Sequence, residues 1–348
     1  MWKGFRQNHP RREDEPFCIV TFVHPHTHKR VYSRLRGLPF GMGSVVNQFN
    51  RLPHLKTAVL RRLLGLLACH YFDDELLLES RMCAGASKAI SLRLSRLWGI
   101  RYGEHKRRPM STCCPFLGSA YDWADMGRTG CATFGVKAST VAKADGQLSG
   151  FIKGDKMTPG EASKLRGLLM WLDTGLLGRP CRGALSALVA RQYWERAHND
   201  EVTPALATAL RYLHTATTTV PPRIVPLHTG DRPHVLLYTD AATDSPGLRI
   251  GILLVEKHRP SLCSTYDVPT KVINRWRFRT TYIGQGELLA GPLTLWLHRS
   301  RLQGRDITWY IDNTSAAAAM IKGSSPQEDS SEMALVAALQ AATMGCRL

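Results

Sequence analysis

Two sets of carboxylates stand out in the sequence. Asp73 and Asp74 lie inside Cys69-His70-Tyr71-Phe72-Asp73-Asp74-Glu75-Leu76-Leu77-Leu78, which reads as a strand–turn–strand hairpin with two acids at its tip. Phosphoryl transfer to a growing strand needs two divalent cations, one activating the attacking 3′-hydroxyl and one steadying the triphosphate. Mg²⁺ takes oxygen ligands, so a protein must aim carboxylates at one point. An Asp-Asp tip braced by apolar strands does this, although a solvated turn has the same composition. The second set is dispersed. Asp240 ends the β-forming run Tyr238-Thr239-Asp240-Ala241-Ala242, Glu287 opens a helix 47 residues later, and Asp312 ends the strand 307–311 after another 25. Hydrolysis of a phosphodiester by two metals needs carboxylates from separate elements meeting over one sheet. Three unrelated acids are the alternative.

The elements that would position these acids can be traced along the chain. Residues 17–23 and 29–35 read as two strands around the turn at 24–28. Ser44 is a candidate cap for a helix towards Leu52, and Leu55, Val59, Leu60, Leu63, Leu64 and Leu67 give a second helix one apolar face. A helix over 87–98 follows the Asp73-Asp74 hairpin. Thr158-Pro159-Gly160-Glu161 is a helix start, with Thr as cap and Pro at the first helical position. Two more helices are expected over 184–197 and 204–214, and the Thr- and Pro-rich stretch 215–233 reads as a linker. Beyond it, strands at 234–240, 248–256 and 276–282, a helix at 287–299, a strand at 306–311 and a helix at 313–321 spell an α/β unit with a mixed sheet. Pro292, inside the first of these helices, is expected to strain it.

With these elements in order, the sequence resembles the reverse transcriptase family. Tyr71-Phe72-Asp73-Asp74 is similar to its Tyr-x-Asp-Asp signature, in which the first Asp is a metal ligand and the second a supporting carboxylate. Leu38-Pro39-Phe40-Gly41 resembles the Leu-Pro-x-Gly motif that shapes the nucleotide pocket. The segment 99–106, ending in Lys106, is similar to the one whose lysine lies near the leaving pyrophosphate, and Phe116-Leu117-Gly118 looks like the primer-grip turn. Gly4-Phe5-Arg6-Gln7 matches the end of the family's first catalytic motif. That match gives Phe5 the role of the gate against the ribose 2′-hydroxyl and puts Gln7 in the nucleotide site; the motif's own Asp would fall one residue before Met1. Asp240, Glu287-Leu288-Leu289-Ala290 and Asp312-Asn313 resemble the ribonuclease H domain of DIRS-like and related retrotransposons, whose fourth acid would fall beyond Leu348. An integrase-like unit, with its Glu after the second Asp, fits the order less well.

The resemblance implies a division into a palm remnant (1–118), a helical thumb and connection (119–214), the linker (215–233) and an incomplete ribonuclease H-like domain (234–348). Arg166, Arg179, Arg182 and Arg191 in the helical part are candidate phosphate contacts. The implied activities are RNA-directed DNA synthesis, impaired by the missing Asp, and cleavage of RNA in an RNA–DNA hybrid. Mg²⁺ is the implied cofactor. RNA–DNA hybrid or other DNA/RNA duplex, and dNTPs by ancestry, are the implied partners. A non-catalytic nucleic-acid-binding remnant and an unstable pseudogene fragment are the rival readings.

Composition sets the bounds. At 348 residues and 44% hydrophobic, the chain is long enough for two or three cores. Forty-six Lys and Arg against 28 Asp and Glu leave a net charge of +18, which favours a polyanionic partner. Nine cysteines without a CxxC pair suggest reduced thiols in an intracellular protein, nuclear or cytoplasmic. The start holds no apolar signal sequence, and the apolar stretch 59–69 is too short and too basic to span a membrane.

Overall fold

The computed structural model describes residues 9, 11–37, 43–195, 200–227, 233–244 and 247–348. The chain divides into two compact units, 1–111 and 112–348. Its class is α/β, with helices and small sheets throughout. No helix among the described residues is long and apolar enough to cross a membrane.

In the first unit, β1 (Ile19–Val23) and β2 (Arg30–Arg34) form an antiparallel pair. The two helices expected on either side of residue 53 are one, α1 (Gly43–Arg62), with Pro53 inside it. Proline removes one backbone donor, but Val45, Phe49 and Leu60 are buried along the same face and hold the helix through that defect. The helix also stops before Leu67. Gly65 takes a left-handed φ of 65°, and Leu67 opens β3 (Leu67–Tyr71), which pairs with β4 (Asp74–Leu78). Helix α2 (Ala84–Leu97) buries Ser87, Ser91 and Ser95, one residue per turn. The small apolar core here is Leu60, Leu66 and Ala68, packed by Leu77 and Leu94.

The second unit opens with an antiparallel sheet in sequence order: β5 (Cys113–Phe116), β6 (Ser119–Asp122), β7 (Cys131–Val136) and β8 (Arg223–Pro226), with the one-turn α3 (Met126–Thr129) before β7. Helices α4 (Ala138–Gly154), α5 (Pro159–Asp173), α6 (Leu185–Tyr193) and α7 (Pro204–Thr219) bury a leucine-rich core that includes Leu148, Leu169, Leu188 and Leu210. Thr158 caps α5 in a full capping box: Glu161 N–H donates to its hydroxyl oxygen, and its own N–H donates to the Glu161 carboxylate. The stretch read as a linker is largely structured. Residues 215–219 finish α7, their threonine hydroxyls donating back to helix carbonyls, and 223–226 form β8 on the edge of the sheet.

Next come β9 (His234–Asp244), β10 (Gly247–Glu256), β11 (Arg259–Val268), α8 (Thr270–Ile273), α9 (Ile283–Leu297), α10 (Arg299–Leu302), β12 (Asp306–Ile311), α11 (Thr314–Lys322) and α12 (Glu328–Thr343). The strand order is β11-β10-β9-β12, antiparallel except for β12, which runs parallel to β9. Arg347 makes one further parallel bridge to Asp306 at the free edge of β12. The third strand is therefore 259–268 and not 276–282. In the latter segment the Arg277 N–H donates to Asp329, and the Arg279 guanidinium pairs with the same carboxylate, so a helix end takes the place of a strand partner. Pro292 sits inside α9 without ending it.

Helix α12 is apolar on more than one face, as a helix buried between layers must be. Leu335 and Ala342 join the core of α4–α7, whereas Ala337, Ala341 and Met344 join that of the sheet. The Tyr212 hydroxyl lies 3.0 Å from both the Pro180 and Leu335 carbonyl oxygens. Gly183 meets Gly323 so closely that a Cβ there would stand 1.8 Å from the Gly323 carbonyl oxygen. Backbone on both sides leaves nothing to yield cheaply. Gly183→Ala is expected to cost about 3 kcal/mol, lowering the melting temperature of a unit this size by roughly 6–12 °C; calorimetry checks it.

Candidate functional site

Asp240 lies on β9, Glu287 in the second turn of α9, and Asp312 directly after β12. The structure brings them together: one oxygen from each carboxylate lies within 4.8 Å of the others. Glu287 is 1% exposed, while both aspartates face solvent. Glu287 Oε1 accepts the Ala241 N–H at 2.8 Å, and Oε2 is buried without a hydrogen-bond donor. Gly286 makes this possible, because a Cβ at that position would meet Ala241 Cβ at 2.8 Å and hold α9 off the sheet.

The strands that carry the aspartates are tied from both faces. Two residues before each aspartate, the Tyr238 and Tyr310 rings stack with centroids 4.6 Å apart and 7° between planes. On the opposite face, Trp309 Nε1 donates to Thr239 Oγ1 at 2.8 Å. Asn313 caps α11 by accepting the Ala316 N–H at 3.0 Å, which fixes the backbone next to Asp312. Sequence reading named the acids and missed these braces. Alternation along the strands was their visible signal, since it puts Tyr238 with Asp240 and Tyr310 with Asp312.

Burial, first, pushes the Glu287 carboxyl up to about 7; the Ala241 N–H opposes this, and the Asp312 and Asp240 charges add to it. Three like charges this close need a proton or a cation among them. An orphaned buried oxygen beside two solvent-facing carboxylates fits a divalent cation with oxygen ligands, which keeps some of its water. Among the described residues, no other His, Cys, Asp or Glu cluster of three or more meets the same geometry.

Asp73 and Asp74 occupy the other expected site. The hairpin pairs Tyr71 with Asp74 and leaves Phe72 and Asp73 as its two-residue turn. Phe72 takes φ 50°, a left-handed conformation that is uncommon and strained for a bulky residue. Its ring packs edge-on against Tyr71 at 4.5 Å. Neither Asp belongs to a three-ligand cluster among the described residues. Beneath the turn lies a polar network that sequence reading missed. Lys56, 2% exposed, donates to Glu75 at 2.5 Å; Tyr102 (2.5 Å) and Ser91 (2.7 Å) donate to the same carboxylate. Burial pulls Lys56 below its ordinary pKa although Glu75 opposes it. Burial alone would raise Glu75, but the Lys56 charge and the three hydrogen bonds hold it low. The sequence signal was a lysine on the otherwise buried α1 stripe of Val45, Phe49 and Leu60. A shallow recess lined by Lys56, His70, Asp73, Asp74, Glu75 and Tyr102 opens over this network.

The remaining expected residues are dispersed. Phe5, Gln7, Pro39, Phe40 and Gly41 lie outside the described residues. Lys106 is exposed at the end of a short 3-10 turn, Glu104–Lys106, in the first unit. Phe116, Leu117 and Gly118 belong to the second unit, where Leu117 (φ 51°) and Gly118 (φ 79°) make the tight turn between β5 and β6 against Trp171. Arg179 and Arg182 face solvent. Arg191 does not: it is 1% exposed and spends its guanidinium on the Met157 carbonyl, at 2.7 and 2.5 Å, so it cannot reach a phosphate. Arg166 is half-buried with its Nε enclosed.

No protein-family model matches the chain, and no curated protein matches it. Among solved structures it is similar to the foamy viral protease–reverse transcriptase in complex with RNA/DNA hybrid. The TM-score is 0.47 at 13% identity, over 91% of this chain and 38% of that one. The chain thus spans well under half the length of that protein.

The raised pKa of Glu287 has a consequence for stability. A carboxyl whose folded pKa exceeds its unfolded value stabilises the fold fully below the unfolded value, and that contribution is lost as pH rises through the folded one. The metal-free chain should therefore lose about 3 kcal/mol of stability as pH rises from 4.5 through about 7. Glu287→Gln should flatten this difference, and a divalent cation at higher pH should restore the parent. Denaturant titrations across the window check it; parallel parent and variant curves would contradict it.

Proposed function

We propose that the chain is a retroelement-derived reverse transcriptase whose better-formed active centre is a ribonuclease H-like nuclease at Asp240, Glu287 and Asp312. The observation that carries this reading is the convergence of three carboxylates from β9, α9 and the end of β12 within 4.8 Å. Supporting it, Asp240 lies on β9 and Asp312 directly after its parallel neighbour β12, while Glu287 docks from the covering helix. The substrate class is the RNA strand of an RNA–DNA hybrid, for which the net charge of +18 provides long-range attraction.

Mg²⁺ ions bound by these residues would supply Lewis-acid stabilisation of the phosphoryl oxygens and an activated water. The protein's part is positioning. The Ala241 N–H holds one Glu287 oxygen and leaves the other without a hydrogen-bond partner. The tyrosine stack and the Trp309–Thr239 bond keep the two strands from shearing.

A second reading concerns the Asp73–Asp74 turn, favoured by the strained Phe72 backbone. It is a nucleotidyl-transfer site for dNTPs with reduced activity, because its two acids gather no third among the described residues.

Purified protein with Mg²⁺ should cleave the RNA strand of a hybrid, and Asp312→Asn should lower the rate by about 100-fold or more, a loss of roughly 3 kcal/mol in transition-state stabilisation. No cleavage alongside salt-sensitive hybrid binding would leave a binding remnant. Primer extension with dNTPs should be much slower than cleavage and should vanish in Asp73→Asn; extension that survives that substitution would exclude the turn.

A further inference from the structure

Between helix α1 and strand β3 lies a cleft of about 350 Å³, lined by His54, Thr57, Arg61 and Arg62 from the helix and by Cys69 and His70 from the strand. None of its lining residues is acidic. The hairpin register decides what the strand presents at its free edge. The two-residue turn makes Tyr71 and Asp74 a hydrogen-bonded pair, so Ala68 and His70, opposite Leu77 and Glu75, turn their backbone groups away from β4. On that side the Ala68 carbonyl accepts Arg61 Nε at 2.5 Å, which pins the guanidinium and leaves both Nη groups without a protein acceptor among the described residues. The His70 N–H, two residues on, points from the same edge. Arg62 lines the cleft with no acidic partner among the described residues.

The imidazoles are held as well. His70 Nδ1 lies 2.8 Å from Oγ1 of the buried Thr57, and its ring meets that of His54 edge-on with centroids 4.6 Å apart. Burial, then His54, pulls His70 below the ordinary imidazole range although Glu75 opposes them, so at neutral pH the two arginines carry the charge of the cleft. A pinned guanidinium fork, a second arginine and a backbone N–H, with no carboxylate between them, match the oxygens of a phosphate. The volume lies at the small end of small-molecule sites, enough for one phosphate and a compact body and too little for a duplex. We propose that the cleft between α1 and the free edge of β3 binds the phosphate of a nucleotide-sized small molecule, with Arg61, Arg62 and the His70 N–H on the phosphate oxygens and the His54 ring against the remainder. Thr57 and His70 also line the recess over Asp73 and Asp74, so the ligand sits beside that turn, yet its binding depends on neither carboxylate site.

The full chain is titrated calorimetrically with AMP, inorganic pyrophosphate and adenosine in EDTA, so that the carboxylate clusters hold no cation and repel anions. AMP and pyrophosphate should bind and adenosine should not, and Arg61→Ala/Arg62→Ala should weaken both by about tenfold or more. No binding by the parent, or equal affinity in parent and variant, overturns the proposal; so does adenosine binding as tightly as AMP. A short single-stranded oligonucleotide gives the remaining arm. If the double substitution weakens it and leaves AMP untouched, the arginines serve a strand backbone and the small-molecule site is excluded. Because Arg61→Ala also removes the partner of the Ala68 carbonyl, the parent's histidine ring resonances provide a second measurement. Saturating AMP should shift the signals of His54 and His70, identified with His54→Asn and His70→Asn, and leave the other histidines in place. Signals of His54 and His70 that do not move would put the phosphate elsewhere and end the proposal.

Discussion

The site in the second unit depends on one contact, the seating of Glu287 against the backbone of β9. A carboxylate at 1% exposure is costly unless something compensates each oxygen. The Ala241 N–H compensates one; the other is buried without a hydrogen-bond partner, and the two neighbouring aspartates can only repel the group while all three are charged. Such an arrangement stabilises nothing by itself. It makes physical sense as a cradle for a positive charge, and the braces around it serve to keep three mutually repelling groups from moving apart.

Those braces extend into the rest of the unit. Helix α9 reaches the sheet because Gly286 carries no side chain, and α12 packs beside α9 while giving its other faces to the helical layer. The close Gly183–Gly323 approach and the Tyr212 hydroxyl tie the same two layers. The helices α4–α7 and the β9–β12 sheet therefore keep separate cores, with α12 as their common wall. In the first unit the corresponding device is polar: a buried Lys56–Glu75 pair with Ser91 and Tyr102 holds the strand that follows the Asp73–Asp74 turn. A one-residue slip of that strand would bury Asp74 and expose Glu75, so the pair also fixes register.

Much of this was legible in the sequence, for identifiable reasons. The Asp73-Asp74 hairpin, the Thr158 cap and the strands at Asp240 and Asp312 each combine a periodic pattern with turn or cap chemistry. The strand 259–268 was hidden because its Pro, Ser and Thr content reads as loop, whereas the aromatic run 276–282 reads as strand but has its backbone donor taken by Asp329. The α7 extension was hidden because threonine is a weak helix former; back-bonding of its hydroxyls to helix carbonyls is visible only in the folded chain. Arg191 looked like a phosphate contact because charge alone does not reveal a side chain that turns inward to a carbonyl. The cleft beside β3 joins a helix face to a strand edge, and no local pattern announces it.

The central claim is that Asp240, Glu287 and Asp312 form a divalent-cation site. Its most direct test is anomalous diffraction from crystals of the full chain soaked in Mn²⁺. The account predicts an anomalous peak bonded to the second Glu287 oxygen and to both aspartates, absent in Glu287→Gln crystals. Well-ordered crystals with no peak at those carboxylates would contradict it.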